Sequence, residues 1–333
     1  MLQLDLIDAH HHLCDLSHAS YPWLEGPRVA RYHGDDFSLR RDYLLADYLT
    51  DARELAALDA QLVASVHIEN GAADPIRESG WIDRVISANG IPTVQVVKVD
   101  LTSSTARDQL AHHADLPSVR GVRDILNWHP NPLYTHRDRS DLITDPAWLD
   151  GFGVLGELGL SFDLQVFPAQ LQQVAALAAD HGDIAIVLDH AGMPIERDHE
   201  ALLRWKQQLA TVAAEPNTAV KISALGTNDH RWTVDSIRRI VLDTIDAFGP
   251  SRCMFASNFP VDGLYSTLGE LFRAFDTITT GFSHGERADL FAGTARKFYR
   301  IESAAVGNAA GDLGDTSKMR GKLGAVDILS EAK

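Results

Sequence analysis

The chain reads as a succession of short apolar runs, each followed by an amphipathic stretch. Eight runs stand out: "LDLIDAH" (4–10), "LVASVHIE" (62–69), "IPTVQVVKVDL" (91–101), "VRGVRDIL" (119–126), "LSFDLQVF" (160–167), "IAIVLDH" (184–190), "TAVKISAL" (218–225) and "RCMFASNF" (252–259). They are rich in Val and Ile and continuous rather than alternating, the pattern of parallel strands buried on both faces. Between them, "DYLLADYLTDARELAALDA", "PAQLQQVAALAADHG" and "VDSIRRIVLDTIDAFG" carry helical periodicity. The last two end at Gly182 and Gly249, as helix C-termini commonly do. "DPAWLDGFGVLGELG" opens on Asp145 as an N-cap with Pro146 in the first turn.

Strand and helix alternate eight times, which predicts an α/β fold, a (β/α)8 TIM barrel. A doubly wound sheet is the competitor, but no glycine-rich phosphate turn follows the first strand. Residues 13–42 are an irregular insertion after strand 1, and in a barrel such a loop lies over the C-terminal face, where active sites are built. It brings Tyr21, Trp23, Arg28, Arg31 and Arg40 as a lid or pocket wall. The barrel is expected over residues 1–301. Residues 302–333 hold no aromatic residue and much Gly and Ala, so a loosely ordered extension is expected there.

Composition narrows the function classes. The chain has 333 residues, 45% of them hydrophobic, enough for a large core. Its formal net charge of −16, without a basic run, argues against nucleic acid as a partner. No stretch approaches ~20 apolar residues and the N-terminus lacks a basic region with a cleavage site, so neither a membrane span nor a signal peptide is expected. Cys14 and Cys253 read as reduced thiols. The expectation is a cytoplasmic protein, with a homo-oligomer left open, acting on a small molecule.

"AHHHLCD" closes the first run. Residues i and i+2 of a strand share a face, so His10 and His12 point into the barrel and His11 toward the helices. Two imidazoles so placed can hold one divalent ion. Other strand ends add His67 and Glu69, Lys98, Arg123 and Asp124, Gln165, Asp189 and His190, Lys221 and Ser223, and Asn258. Any one of these reads as a rim residue or a structural ion pair. A barrel converges them on one mouth, and as a set they read as an active site.

At this point the ordered segments "LIDAHHHLCD", "SYPWL", "SVHIEN", "GVRDIL", "DPAWLDGFGVLGELGLSFDLQVFPAQL", "VLDHAGMP", "KISAL" and "CMFASNFPVDG" resemble the amidohydrolase superfamily, closest to its sugar-lactone and 2-pyrone-4,6-dicarboxylate lactonase branch. The resemblance spans about residues 5 to 300. It implies a distorted (β/α)8 barrel and a lactonase. His10 and His12 match the family's H-x-H, His190 its strand 6 histidine and Arg123 its substrate-binding arginine. Asn258 stands where the family usually has an aspartate that binds metal and takes a proton from water. An amide is no base and a weak ligand. Gln165 replaces a histidine of metal-rich members, and strand 4 lacks the bridging lysine of binuclear ones.

The resemblance therefore implies at most one divalent metal, Zn2+ or Mn2+, on His10 and His12 with His190 as third ligand, or metal-independent catalysis. The expected reaction is hydrolysis of a small oxygenated lactone in carbohydrate or aromatic catabolism. Arg123, Trp23, Lys98 and Gln165 would bind substrate, Asn258 would hold water, and His190, His67 or Glu69 would be the base. The alternatives are a metal-dependent decarboxylase of an aromatic or muconate-like acid and a catalytically lapsed barrel that binds a small ligand.

Overall fold

A computed structural model describes residues 4–302. The extension expected over 302–333 lies, apart from Glu302, outside the described residues. Eight parallel strands pair in chain order: β1 Leu4–His11, β2 Ala60–Ile68, β3 Val94–Val97, β4 Val119–Ile125, β5 Ser161–Gln165, β6 Ile186–Leu188, β7 Thr218–Ile222 and β8 Cys253–Phe255. Each is followed by a helix: α1 Leu45–Ala52, α2 Pro75–Asn89, α3 Ala106–Ala114, α4 Pro146–Leu158, α5 Leu171–Asp180, α6 His199–Ala213, α7 Val234–Phe248 and α8 Leu268–Ile278. The fold is the (β/α)8 barrel that the alternation predicts. No helix among the described residues is long and apolar enough to cross a membrane.

Local signals act as their chemistry requires. The Asp145 carboxylate accepts from the Ala147 N–H at 2.9 Å and the Trp148 N–H at 3.4 Å, with Pro146 opening α4. Gly249 caps α7 at φ 76°. At α5 the cap is His181, one residue before the expected Gly182.

The barrel closes between β8 and β1 without a full ladder. His12 N–H donates to Phe259 O and Asn258 N–H to His10 O, both at 2.8 Å. The buried Asp8 carboxylate completes the seam. It accepts from the Ser257 N–H at 2.8 Å, the Ser257 hydroxyl at 2.6 Å and the Tyr48 hydroxyl of α1 at 2.9 Å. A buried carboxylate needs such donors to offset its lost hydration.

Side chains from six strands meet at the barrel axis, among them Ile7, Ala9, Val66, Val96, Val187, Ala219 and Met254. Strict alternation from Ile7 and Ala9 would carry His11 inward. A register irregularity between Asp8 and His11 reverses the parity. His11 therefore stacks on Tyr48 outside, with ring centroids 4.0 Å apart, and bonds Ser65 at 3.0 Å.

The strands are shorter than the apolar runs: β6 stops at Leu188 and β8 at Phe255. Beyond them His190, Ala191, Met193, Ala224 and Asn258 take φ between +47° and +57°. Left-handed backbone costs a non-glycine residue about 1–2 kcal/mol, so these turns persist because packing imposes them. They aim His190 and Asn258 in a direction that strand alternation does not specify.

Candidate active site

Below the mouth lies a buried ion cluster. The Lys221 ammonium of β7 sits 2.5 Å from Asp163 Oδ2 of β5, 3.1 Å from Asp189 Oδ1 and 3.1 Å from His10 Nδ1. Tyr299 donates to Asp163 at 2.7 Å. Burial raises the Asp163 pKa to about 6, with Lys221 opposing the shift. Asp189 is held well below the usual carboxylate range by Lys221 and His10, against the opposing effect of burial.

Three imidazoles stand above this cluster. His10 Nδ1 is 3.4 Å from Asp189 Oδ1, and His10 Nε2 is buried without a hydrogen-bond partner among the described residues. Burial and then Lys221 push its pKa well below the ordinary value. His12 Nδ1 lies 2.9 Å from Ile68 O. A carbonyl only accepts, so Nδ1 carries the proton and Nε2 the lone pair. Burial, followed by Arg123, pushes His12 down to about 4. His190 Nδ1 is 2.8 Å from the Ser223 hydroxyl, its ring is 4.7 Å from that of His10, and burial lowers it to about 3. All three rings are neutral at pH 7.

His10, Asp189 and His190 offer ligand atoms that all lie within 4.8 Å of one another. His12 is not in that group; its Nε2 faces Asn258 Oδ1 at 3.4 Å. The rings of His12 and His190 flank that of His10 at similar distances, 4.9 and 4.7 Å between centroids, so the expected His10 and His12 stand side by side while Asp189 joins His10 and His190.

The opposite wall is cationic. Arg123 donates through Nε to Glu69 Oε1 at 2.7 Å and through Nη2 to Glu69 O at 2.9 Å, while Nη1 is 3.5 Å from Gln165 Oε1. Despite burial, Arg123 and then Lys98 keep the Glu69 carboxyl below its ordinary value. Glu69, expected among the bases, is Arg123's counter-ion. Lys98, just past β3, is half-buried and makes no ion pair among the described residues; Glu69 and His136 both feel its charge.

The insertion is the irregular segment expected, but its contacts differ. Trp23 donates to Asn70 O at 2.7 Å, with Arg31 over its ring at 5.8 Å. Arg40 is tied to Asp36 and to the carbonyls of Leu24 and Gly26, and Arg28 to Asp35. Tyr21 is buried in the core. The residue that reaches the mouth is Tyr32, which lies against Gln165 and Arg123 and stacks near Tyr134 at 6.0 Å. Neither Tyr32 nor Tyr134 and His136, from the loop after β4, is marked by any strand pattern.

His67 is placed apart from the pocket. Val66 and Ile68 line the barrel, so His67 faces outward, with Nε2 3.4 Å from Leu13 O and its ring 6.1 Å from that of His11. Burial pushes the Cys14 thiol up to about 12, which removes its nucleophilic form. A half-open cavity of about 280 Å3 lies beside Tyr43, Phe259 and Pro260, and none of the three imidazoles lines it.

Comparison with known proteins gives a consistent picture. The amidohydrolase family model matches residues 7–301. The uncharacterized protein y4mH of Sinorhizobium fredii is 37% identical over 303 residues, covering 90% of this chain and all of its own length. An L-fucono-1,5-lactonase of Burkholderia multivorans is 29% identical over 311 residues, covering 90% of this chain and 97% of its own. A solved amidohydrolase structure from Burkholderia multivorans, with bound zinc, superposes with a TM-score of 0.73 at 26% identity over 89% of this chain and 99% of its own.

Proposed function

This chain belongs to the amidohydrolase family and is a hydrolase; from that premise we propose that it is a lactonase and opens a small oxygenated lactone bearing a carboxylate, a sugar-acid or dicarboxylate lactone, with water as nucleophile. The observation that carries this reading is the pairing of two unlike walls at one mouth. His12 is a neutral ring with a lone pair on Nε2, and across from it Arg123 and Lys98 supply positive charge.

In this reading a water oxygen attacks the ring carbonyl carbon and gives its proton to His12 Nε2. The ester C–O bond then breaks, and the departing ring oxygen takes up a proton to become a hydroxyl. His12 suits the base role because its depressed pKa leaves it unprotonated down to about pH 4. Asn258, which cannot take the proton, accepts a hydrogen bond from the water through Oδ1. Lys98, which makes no ion pair among the described residues, binds the substrate carboxylate. Arg123 is fixed by Glu69 and offers Nη1 beside Gln165. Tyr32 covers this wall and limits water entry.

The side chains fit one metal ion and not two. His10 Nε2 is a buried nitrogen without a partner among the described residues, and His190 and Asp189 lie close by. The neutral amides Asn258 and Gln165 stand where a second ion would need charge. His10, His190 and Asp189 would hold a Zn2+ or Mn2+, which would supply Lewis-acid polarisation of the lactone carbonyl. Lys221, 3.1 Å from Asp189, competes for that carboxylate and weakens the site.

The test is acid release, followed with a pH indicator, on a panel of sugar-acid, dicarboxylate and neutral lactones. Metal content is measured before and after chelation. Acid release fastest on carboxylated lactones is expected. Release of CO2, or no acid from any lactone, would overturn the reading.

A further inference from the structure

Asn258 brings a neutral amide to the mouth, yet a carboxylate stands one turn away. Asp262 is buried, and its Oδ2 accepts from Asn258 Nδ2 at 3.2 Å. Asp262 Oδ1 is buried without a hydrogen bond to a side chain. It packs on Gly226, where any Cβ would meet it at 2.8 Å, so glycine at 226 is what admits the carboxylate. A carboxylate only accepts hydrogen bonds, so it draws the amide N–H2 toward itself and turns Oδ1 toward His12. His12 Nδ1 is committed to Ile68 O, so two acceptors, His12 Nε2 and Asn258 Oδ1, face each other at 3.4 Å. Two acceptors 3.4 Å apart leave no room for an atom between them, but a water lying beside the pair can give one hydrogen to each.

We propose that Asp262 is a positioning residue that locks the Asn258 amide with its oxygen toward His12, completing a two-acceptor seat for the hydrolytic water. The proposal rests on the lactonase reading for its chemistry, but the amide orientation does not depend on it.

A pH dependence follows. The groups acting on Asp262 are Arg197, Asn258 and the backbone amides of Gly226 and Ala224, while Tyr32 and Tyr265 feel its charge. Burial, which outweighs those donors and Arg197, raises Asp262 to about 7. Below that pH the carboxyl is protonated and can donate to Asn258 Oδ1. The amide then turns, and its N–H2 faces His12 Nε2 and blocks the seat. Activity should rise through about pH 7.

The test uses the full chain and the variant Asp262→Asn. An amide at 262 can both donate and accept, so it no longer dictates the orientation of Asn258. With a lactone hydrolysed by the wild type, kcat is expected to fall about 10- to 100-fold, in the range seen when a supporting hydrogen-bond partner is lost, with KM within about threefold and the acid limb gone from pH 7. Independently, the Asn258 side-chain amide resonances of 15N-labelled protein, identified by their loss in Asn258→Asp, should titrate near pH 7 in the wild type and not in Asp262→Asn. Unchanged kcat and pH profile in the variant, or an amide signal insensitive to pH in the wild type, would overturn the proposal. So would a lowered unfolding temperature that alone accounts for the lost activity. If no lactone is hydrolysed but the amide titrates, the substrate reading fails while the amide orientation set by Asp262 stands.

Discussion

On the β1 side of the mouth, His10, His12 and His190 are neutral rings beside the Asn258 amide and the Asp262 carboxyl, which burial raises to about 7. On the β2–β4 side, Arg123, Glu69 and Lys98 are charged. Arg123 and Glu69 are as buried as the three rings, so for them burial does not explain the difference. Pairing does. Arg123 and Glu69 keep their charges because each compensates the other at 2.5 Å. Asp189, the carboxylate 3.4 Å from His10, is already compensated by Lys221, which also pairs with Asp163. One wall is thereby poised to accept protons and the other to bind anions. That division of labour suits hydrolysis of an acidic ester.

The largest break in the comparison should come from Arg123→Met, which strands Glu69 as a buried charge. A loss of about 3–5 kcal/mol of stability is expected in denaturant unfolding. The double variant Arg123→Met with Glu69→Gln should recover much of that stability without recovering substrate binding. If the single variant unfolds like the wild type, the two walls are not held apart by pairing.

Next comes the proton-accepting wall. His12→Gln should cost about 10²–10⁴ in kcat, the usual scale for a general base, with the unfolding curve unchanged. Asn258→Asp should lower kcat rather than raise it, by about tenfold or more. It sets a second carboxylate against Asp262, only 3.2 Å away, and like charges so close cannot both ionise. A large gain in kcat would mean that the amide is not the working group.

A smaller effect sharpens the anion-binding wall. Lys98→Met should raise KM about tenfold for a carboxylated lactone, in line with loss of one charged hydrogen bond, and leave a neutral lactone unaffected. Equal effects on both substrates would remove Lys98 from the carboxylate site.

The mildest expectation concerns stability. Burial, then Glu69, raises the Glu78 pKa from an ordinary 4.5 to about 8. The folded chain keeps this proton where the unfolded chain has lost it, so Glu78 makes the protein less stable as pH rises from about 4.5 to 8. Glu78→Gln retains the acceptor for the Asn70 N–H and should unfold at a higher temperature than wild type at pH 9, with little difference at pH 4. The opposite order would show that Glu78 is ionised in the folded state.

Much of this was legible along the chain. The eight apolar runs fix the barrel because only parallel strands covered on both faces bury so continuous a pattern. The H-x-H, Arg123, His190 and Asn258 announce themselves at strand ends, and the barrel brings those ends together. What no pattern could supply was direction. His10 and His12 face inward through an irregularity at Asp8–His11 that depends on how β1 meets β2. His67 sits beside Glu69 in sequence and yet faces the helices.

Three further matters belong to the tertiary structure alone. Glu69 is Arg123's counter-ion because two separate strands approach within hydrogen-bond distance. Tyr32 and His136 reach the mouth on loops, whose paths are set by long-range contacts rather than periodicity. Asp262 meets the Asn258 amide because a left-handed residue turns the chain after β8 and Gly226 leaves room for its carboxylate. The sequence by itself determined which strands exist, in what order, and which reactive residues close them, since hydrophobic periodicity and residue chemistry are local properties. Protonation, pairing and aim were decided only on folding, because they depend on burial and on neighbours distant in the chain.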